Sequence, residues 1–256
     1  MDTTKPCYLF FDLDGTVITH DGNLKKETLD AMLRVQALGH KLILNTGRSQ
    51  AGYMQKDASA AHVIPWDGKC FSASDISYGD ELLYENGVSW SDFSIWLEFC
   101  MEHRADLWYC GRKDRTLFAF SEYGTPMTSS QKAECRQKAE REFNKNPLTN
   151  ISIMGVLEKN DLPASGLCIF QLPTYADLFP KGCNKGQVVR IFCEKTGVSL
   201  DQCVGFGDSS NDVDMLCVCP IGVCMKDSPK ALIEASTYHA ETENGVAEGL
   251  HMLFGI

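Results

Sequence analysis

The chain has 256 residues, and 44% of them are hydrophobic, which is enough to bury a core and too many for a disordered chain. Its 24 basic and 34 acidic residues give a formal net charge of −10 with histidine neutral. An acidic protein gains little from the release of counterions by a polyanion, so the composition disfavours nucleic acid as a main partner. The length predicts one or two domains.

No apolar run approaches the roughly 20 residues that span a bilayer, and the run Cys7–Phe11 is too short for the core of a secretory signal. The 12 cysteines include no C-x-x-C pair of the kind that holds zinc. Several of them, among them Cys168, Cys203 and Cys217, sit in apolar runs, which favours buried thiols in a reducing compartment. We therefore expect a soluble cytoplasmic protein without a membrane partner.

Short apolar runs alternate with a helical pattern in the first 85 residues. Tyr8–Phe11 and Lys41–Leu44 are typical of strands buried on both faces. Between them, Leu24–Leu38 has the spacing of a helix, and Gly39 follows as its stop signal. A third strand is predicted at His62–Ile64. This alternation predicts an α/β fold, a doubly wound Rossmann-like parallel sheet.

The pattern changes near residue 86. Residues 86–178 mix aromatic-rich helical segments with short strands, and Ser129–Asn146 is predicted to be an exposed helix. The spacing of Phe93, Trp96, Leu97 and Phe99 favours a packed core over a ligand site. From residue 181 the α/β pattern returns, with a helix at Lys185–Thr196. The sequence thus predicts an α/β core of residues 1–85 and 179–256 with an α+β domain inserted at 86–178.

Polar motifs follow the predicted core strands. Asp12-x-Asp14-Gly15-Thr16 comes directly after the first strand. Carboxylates at i and i+2 of an extended segment point to the same side, so one can attack phosphorus while the other moves protons. Asn45-Thr46-Gly47-Arg48 follows the second strand and offers a hydroxyl donor and a guanidinium suited to phosphate, although Thr-Gly-Arg is equally common as a helix start.

Two further motifs lie in the last third of the chain. Lys181-Gly182-Cys183-Asn184-Lys185-Gly186 precedes a helix, and Gly207-Asp208-Ser209-Ser210-Asn211-Asp212 follows a predicted strand. The carboxyl ends of parallel strands gather at one edge of a sheet, where ligands bind. We therefore expect Asp12, Asp14, Thr46 and Asp208 to meet, although they span nearly 200 positions.

These four motifs, in this order and across the whole chain, resemble those of phosphatases of the haloacid dehalogenase superfamily, in particular the Cof-like subgroup with an inserted C2-type cap of the C2B kind. The resemblance implies that Asp12 is the nucleophile and forms an aspartyl-phosphate. Asp14 would act as general acid and then as general base. Thr46 and Lys185 would stabilise the phosphoryl group, with Lys181 as the alternative lysine.

The resemblance also implies a magnesium ion and a set of phosphate contacts. Mg²⁺ would be held by Asp12, the backbone carbonyl of Asp14 and Asp208, with Asp212 behind them or reaching the ion through water. Contacts with the substrate would come from Gly47, Arg48 and Asn211. Two departures from the family pattern, Asp67-Gly68 and Ser209-Ser210, remove no catalytic group.

The expected activity is hydrolysis of a small phosphorylated metabolite such as a sugar phosphate, by a monomer or a homodimer. Two alternatives stay open: a phosphomutase on a related cap, and a non-catalytic binding or regulatory protein with the same fold. A fragment of a transporter ATPase is disfavoured because no membrane segment is present. Substrate selection is assigned to the cap loops near Cys110–Arg115 and Met154–Asp161.

Overall fold

A computed structural model describes residues 3–123, 126–155, 157 and 162–256. The chain divides into two compact units. The first unit comprises Met1–Gly47, Met54–Glu85 and Cys183–Ile256, and the second comprises Arg48–Tyr53 and Asn86–Gly182.

Strands and helices alternate along the chain. The strands are β1 (Tyr8–Phe11), β2 (Lys41–Thr46), β3 (Gly68–Phe71), β4 (Asp75–Tyr78), β5 (Glu81–Glu85), β6 (Leu107–Gly111), β7 (Arg115–Phe118), β8 (Leu148–Met154), β9 (Leu167–Gln171), β10 (Tyr175–Pro180), β11 (Cys203–Gly207), β12 (Ile221–Cys224) and β13 (Tyr238–His239). The α-helices are α1 (Lys26–Ala37), α2 (Gln50–Tyr53), α3 (Trp90–His103), α4 (Ser129–Lys145), α5 (Lys185–Thr196), α6 (Val213–Val218), α7 (Lys230–Ala235) and α8 (Gly245–Phe254).

The first unit is built on a sheet with the strand order β13-β12-β11-β1-β2-β3-β4-β5. The strands from β13 to β3 run parallel, and β4 and β5 add an antiparallel hairpin. Phe11 at the end of β1 pairs with Phe206 of β11 and with Leu44 of β2, so the carboxyl ends of these three strands are level. The fold is therefore the predicted α/β class.

Central strand β1 is apolar because both of its faces are covered. Leu9, Phe10 and Phe11 are fully buried, and Phe10 packs in a cluster with Ile43 of β2 and Phe192 of α5. A continuous apolar run is what a strand in such a sheet requires, which explains why β1 and β2 could be located from sequence.

One predicted strand of the first unit is wrong. His62–Ile64 does not form a strand, because Lys56–Val63 is a 3₁₀ helix and the third strand is Gly68–Phe71. Val63 is 64% exposed, so the short apolar run does not mark a buried strand. Pro65 follows the run. Two residues further along, the Asp67 carboxylate accepts a hydrogen bond of 2.9 Å from the amide of Leu42 in β2.

The second unit has an antiparallel sheet with the order β7-β6-β8-β10-β9. Its hydrophobic core lies between one face of this sheet and helices α3 and α4, and Phe93, Trp96 and Leu97 are buried there as their spacing predicts. Helix α4 coincides with the predicted exposed helix and begins with a capping box between Thr128 and Gln131. Strands β8 and β10 were not predicted from the sequence.

Three further expectations concern the cysteines, one of the predicted selection loops and membrane-spanning helices. The twelve cysteines are thiols, but of the three singled out only Cys203 is buried, while Cys168 is half-buried and Cys217 is exposed. The predicted selection loop Met154–Asp161 lies largely outside the described residues, since only 154, 155 and 157 of it are described. Within the described ranges, no helix is long and apolar enough to cross a membrane.

Candidate active site

Three carboxylates gather where strands β1 and β11 end. Asp12 directly follows β1, and its amide donates a hydrogen bond of 2.9 Å to the carbonyl of Phe206 in β11. Asp208 follows β11, and Asp212 lies four residues further along the same loop. Asp12, Asp208 and Asp212 each place a carboxylate oxygen within 4.8 Å of the others.

Lys185 is the cation of this cluster. Its Nζ donates hydrogen bonds to Asp12 Oδ1 and Asp212 Oδ1, both at 2.5 Å, and to Asn211 Oδ1 at 3.2 Å. Its side chain is only 4% exposed. Lys181, the alternative lysine, is instead exposed in the second unit and donates to the carbonyl of Ser165 at 2.9 Å.

Helix α5 fixes the position of Lys185, its first residue. Asn184 caps the helix, because its Oδ1 accepts a hydrogen bond of 2.6 Å from the amide of Gln187. From β2, the buried side chain of Asn45 donates to the carbonyl of Lys185 at 3.1 Å. The cap of α5 and the contact from β2 thus fix the backbone from which the Lys185 ammonium extends.

The electrostatics of the cluster follow from burial and crowding. Burial raises the pKa of Asp12 well above its ordinary value, the charges of Asp212 and Asp208 raise it further, and Lys185 opposes the shift. Burial and Asp212 also raise the pKa of Asp208. Burial alone would lower the pKa of Lys185, but Asp12 and Asp212 more than offset this effect and raise it.

Asp212 shapes the loop that carries Asp208. Its Oδ2 accepts the amides of Asp208 at 3.1 Å and Ser209 at 3.0 Å, while its Oδ1 accepts Lys185. A Cβ at Gly207 would lie 2.5 Å from the Asp212 Cγ, so only glycine leaves room for this carboxylate. Both oxygens of Asp212 already have donors, which suits a residue that stands behind the cation ligands.

The Asp12 loop has a tight turn at Gly15, as its sequence suggests, and it contributes Thr16 and His20, to which the sequence analysis gave no role. Gly15 has a φ of +86°, and a Cβ there would overlap with Asp208 Oδ2, so the turn requires glycine. Thr16 donates from Oγ1 to Asp208 Oδ1 at 3.1 Å, and exposed His20 has its Nε2 4.0 Å from Asp208 Oδ2. Thr16 is part of the first motif and could have been found from it, whereas no sequence signal marks His20.

The structure places the remaining predicted residues in three settings. Asp14 is half-buried in the Asp12 loop, and Thr46 is buried at the end of β2, where its carbonyl accepts the amide of Ser72 at 3.0 Å. A Cβ at Gly47 would lie 3.8 Å from Asn211 Nδ2. Arg48 belongs to the second unit, where its Nη1 donates to the carbonyl of Gly52 at 3.3 Å.

The donor set fits a divalent cation. With three carboxylates ionised and one lysine charged, the cluster carries −3 + 1 = −2. Carboxylate oxygens are hard ligands of the kind that Mg²⁺ takes, usually together with waters and substrate phosphate. Burial, and after it the charges of neighbouring carboxylates, raises the pKa values of Asp12 and Asp208, and a bound divalent cation would favour their ionised forms.

A parallel sheet with paired acidic loops and a buried lysine at its carboxyl edge defines an α/β enzyme core. The sequence model of the haloacid dehalogenase-like hydrolases matches residues 9–250, and the chain belongs to that family.

Named relatives and solved structures agree with this assignment. The chain is 25% identical over 224 residues to the HMP-PP phosphatases of Escherichia coli O81 (strain ED1a) and Yersinia pseudotuberculosis serotype O:1b (strain IP 31758). The matches cover 80% of this chain and 79% and 78% of those proteins. Phosphatase BT1666 from Bacteroides thetaiotaomicron superposes with a TM-score of 0.80 and 21% identity, covering 99% of this chain and 97% of that one. The subclass IIB sugar phosphatase BT4131 gives 0.78 and 21%, covering 97% and 99%.

Proposed function

We propose that this hydrolase is a Mg²⁺-dependent phosphomonoesterase that acts on small phosphorylated metabolites through an aspartyl-phosphate at Asp12. The observation that carries the proposal is Lys185, whose buried ammonium bridges Asp12 and Asp212 beside Asp208. A buried cation next to a carboxylate nucleophile offsets the charge that accumulates when that carboxylate meets a phosphate.

In the proposed reaction, a carboxylate oxygen of Asp12 attacks phosphorus while the bond from phosphorus to the ester oxygen breaks. Asp14, two residues further along the same loop, gives a proton to the leaving oxygen. It then takes a proton from the water that hydrolyses the aspartyl-phosphate, which releases phosphate and regenerates Asp12. Asp14 therefore begins the cycle protonated and is ionised after the first step.

The other residues of the site hold charge. Asp12, the backbone carbonyl of Asp14 and Asp208 would hold Mg²⁺, which supplies positive charge against the phosphoryl oxygens. Lys185 and the hydroxyl of Thr46 would stabilise the same oxygens from the protein side. Asn211, whose Oδ1 already accepts from Lys185, and Gly47 would contact the phosphoryl group. Arg48 would reach a substrate oxygen.

The HMP-PP phosphatases among the relatives and the sugar phosphatase among the similar structures support a small phosphorylated substrate. We propose that the second unit is the C2-type cap of this family and selects the alcohol portion of the substrate. The twelve thiols suit a reducing cytoplasm, and the net charge of −10 argues against nucleic acid as a partner. A monomer or a homodimer is expected.

The test is release of phosphate from a panel of phosphorylated metabolites, with Mg²⁺ and with EDTA, by the wild-type chain and by Asp12→Asn. We expect release that requires the metal and that Asp12→Asn loses. Products are identified by NMR, since an isomer of the substrate without free phosphate would show a phosphomutase. Equal activity of the variant and the wild-type chain would exclude Asp12 as the nucleophile.

A further inference from the structure

The loop after β11 holds a half-buried asparagine whose side-chain oxygen accepts from two donors. The ammonium of Lys185 donates to Asn211 Oδ1 at 3.2 Å, and the hydroxyl of Ser209 donates to the same oxygen at 2.8 Å. All three residues belong to the first compact unit. An amide oxygen only accepts hydrogen bonds and an amide nitrogen only donates them, so the two donors fix which end of the Asn211 amide faces Lys185.

The other end of this amide is a donor that faces the loop after β2. A Cβ built at Gly47 would lie 3.8 Å from Asn211 Nδ2. Apart from the two chain neighbours of Gly47, no other described residue would come within 4 Å of that Cβ. The Nδ2 donor therefore faces open space beside the backbone of Gly47, where an anion can accept from it.

The ammonium of Lys185 can bind such an anion only if it gives up one of its own contacts. It carries three N–H groups and donates to Asp12 and Asp212 at 2.5 Å each and to Asn211 at 3.2 Å. The contact with Asn211 is the longest and is the only one of the three to a neutral acceptor, so it is the weakest. When a phosphoryl oxygen takes its place, the hydroxyl of Ser209 remains as the donor that holds the Asn211 amide.

We propose that Ser209 is a positioning residue for phosphate, because its hydroxyl holds the Asn211 amide with Nδ2 directed at a phosphoryl oxygen. The inference rests on the phosphatase function proposed above and adds the residue that orients one of its phosphate contacts. Without this hydroxyl the amide can turn about its terminal bond and present its oxygen, which repels a phosphate oxygen. Ser209 thus acts on the phosphate through Asn211 and not by touching it.

Ser209 also has a structural role that the experiment must separate from this one. It caps the short 3₁₀ helix Ser210–Asp212, where its amide donates to Asp212 Oδ2 at 3.0 Å and its side chain accepts from the amide of Asp212. Loss of this cap affects the loop whether or not Asn211 is present. The positioning role, in contrast, disappears once Asn211 is replaced, so a double-mutant cycle distinguishes the two.

The experiment measures binding of inorganic phosphate to the full chain in the presence of Mg²⁺, by calorimetric titration and without turnover. We expect Ser209→Ala to raise the Kd about three- to tenfold, as the loss of one hydrogen bond does. Ser209→Thr keeps the hydroxyl and should stay within about twofold of the wild-type chain. In a chain that already carries Asn211→Ala, Ser209→Ala should change the Kd by less than about twofold. Melting temperatures show that each variant is folded.

Ser210→Ala is the matched control, because Ser210 is the exposed neighbour of Ser209 in the same loop. It should leave the Kd unchanged. The proposal is overturned if the wild-type chain binds no phosphate, if Ser209→Ala binds it as tightly as wild type, or if the loss is as large in the Asn211→Ala chain. An equal loss for Ser210→Ala or Ser209→Thr overturns it as well. Phosphate binding with the expected dependence, but no phosphate release from any ester, would instead refute the phosphatase proposal and keep the role of Ser209.

Discussion

Lys185 is the cation that pairs with two buried carboxylates of the candidate site. Its ammonium contacts Asp12 and Asp212 at 2.5 Å, and all three residues are buried. Lys185→Met keeps the unbranched chain up to the ε position but leaves these carboxylates without their cation. We expect the free energy of unfolding to fall by about 3–5 kcal/mol and phosphatase activity to be lost. Urea denaturation measures the first quantity.

Lys181→Met is the control for Lys185→Met. Lys181 is exposed and contacts only a carbonyl in the described part of the chain, so its loss should change the free energy of unfolding by no more than about 0.5 kcal/mol. Similar losses for both variants would show that the Lys185 ion pairs do not stabilise the fold.

We expect the ionised Asp12 carboxylate to lower the stability of the fold and to be required for the reaction. Burial and the charges of Asp212 and Asp208 raise its pKa despite Lys185, so the fold disfavours its ionised form. Asp12→Asn removes that charge while keeping the shape. We expect activity to fall by roughly 10³-fold or more while the melting temperature stays level or rises, as measured by phosphate release and calorimetry. A melting temperature lower by several degrees would contradict this reading.

Asp177 predicts how stability depends on pH. Its pKa of about 6 in the fold lies above the unfolded value of about 3.9, so the folded state holds the proton more tightly. The stability from the neutral carboxyl is complete below about pH 4 and is lost as pH rises through about 6. The loss is at most about 3 kcal/mol. In urea titrations, Asp177→Asn should therefore gain stability relative to wild type between pH 4 and pH 7, and parallel pH curves would refute this assignment.

At the scale of elements, the start of α5 sets the position of Lys185. Asn184 caps the helix through the amide of Gln187, one residue before Lys185. Asn184→Ala should lower the free energy of unfolding by about 1 kcal/mol and reduce kcat more than KM, because the ammonium loses its fixed position. Asn184→Asp, which can still cap, should retain most of the stability. A fall in stability without any change in kcat would limit Asn184 to a structural role.

The elements also show what the sequence could predict. Helix α5 was located exactly, because Asn184 marks its start and Gly197, with a φ of +74°, marks its end. Strands β1 and β2 were found because a strand buried on both faces must be continuously apolar. The strand predicted at His62–Ile64 was wrong because a run of only two apolar residues, Val63 and Ile64, occurs equally well at the end of a 3₁₀ helix. The haloacid dehalogenase family could be recognised from the sequence because its motifs are short local sequences. The match of the family model confirmed that assignment.

Other contacts within each unit depend on strand pairing that a single sequence does not encode. Ser152 and Asp177 become neighbours only through the antiparallel register of β8 and β10, and neither of these strands was predicted. Thr16 and Asp208 meet because β1 and β11 lie side by side, although 192 positions separate them. Arg48 follows Thr46 by two residues, yet it belongs to the other compact unit.

For the whole molecule, the cluster of net charge −2 predicts stabilisation by Mg²⁺. A cation that binds only the folded state adds about 2.7 kcal/mol when its concentration is 100 times its Kd. We expect Mg²⁺ to raise the melting temperature of the wild-type chain, and Asp208→Asn to weaken that rise. Asp30→Asn, at an exposed position of α1, serves as the control. An equal rise for Asp208→Asn would exclude Asp208 as a ligand.

The position of β1 between β2 and β11 has a consequence for synthesis of the chain on the ribosome. Once residue 46 has emerged, β1 can pair with β2, but its other edge stays open until residues 203–207 have been made. At about 5–20 residues per second this interval lasts roughly 10–30 s. An open edge on an apolar strand is a template for wrong pairing. The apolar edge of β1 is therefore open to wrong pairing during most of the translation of the chain.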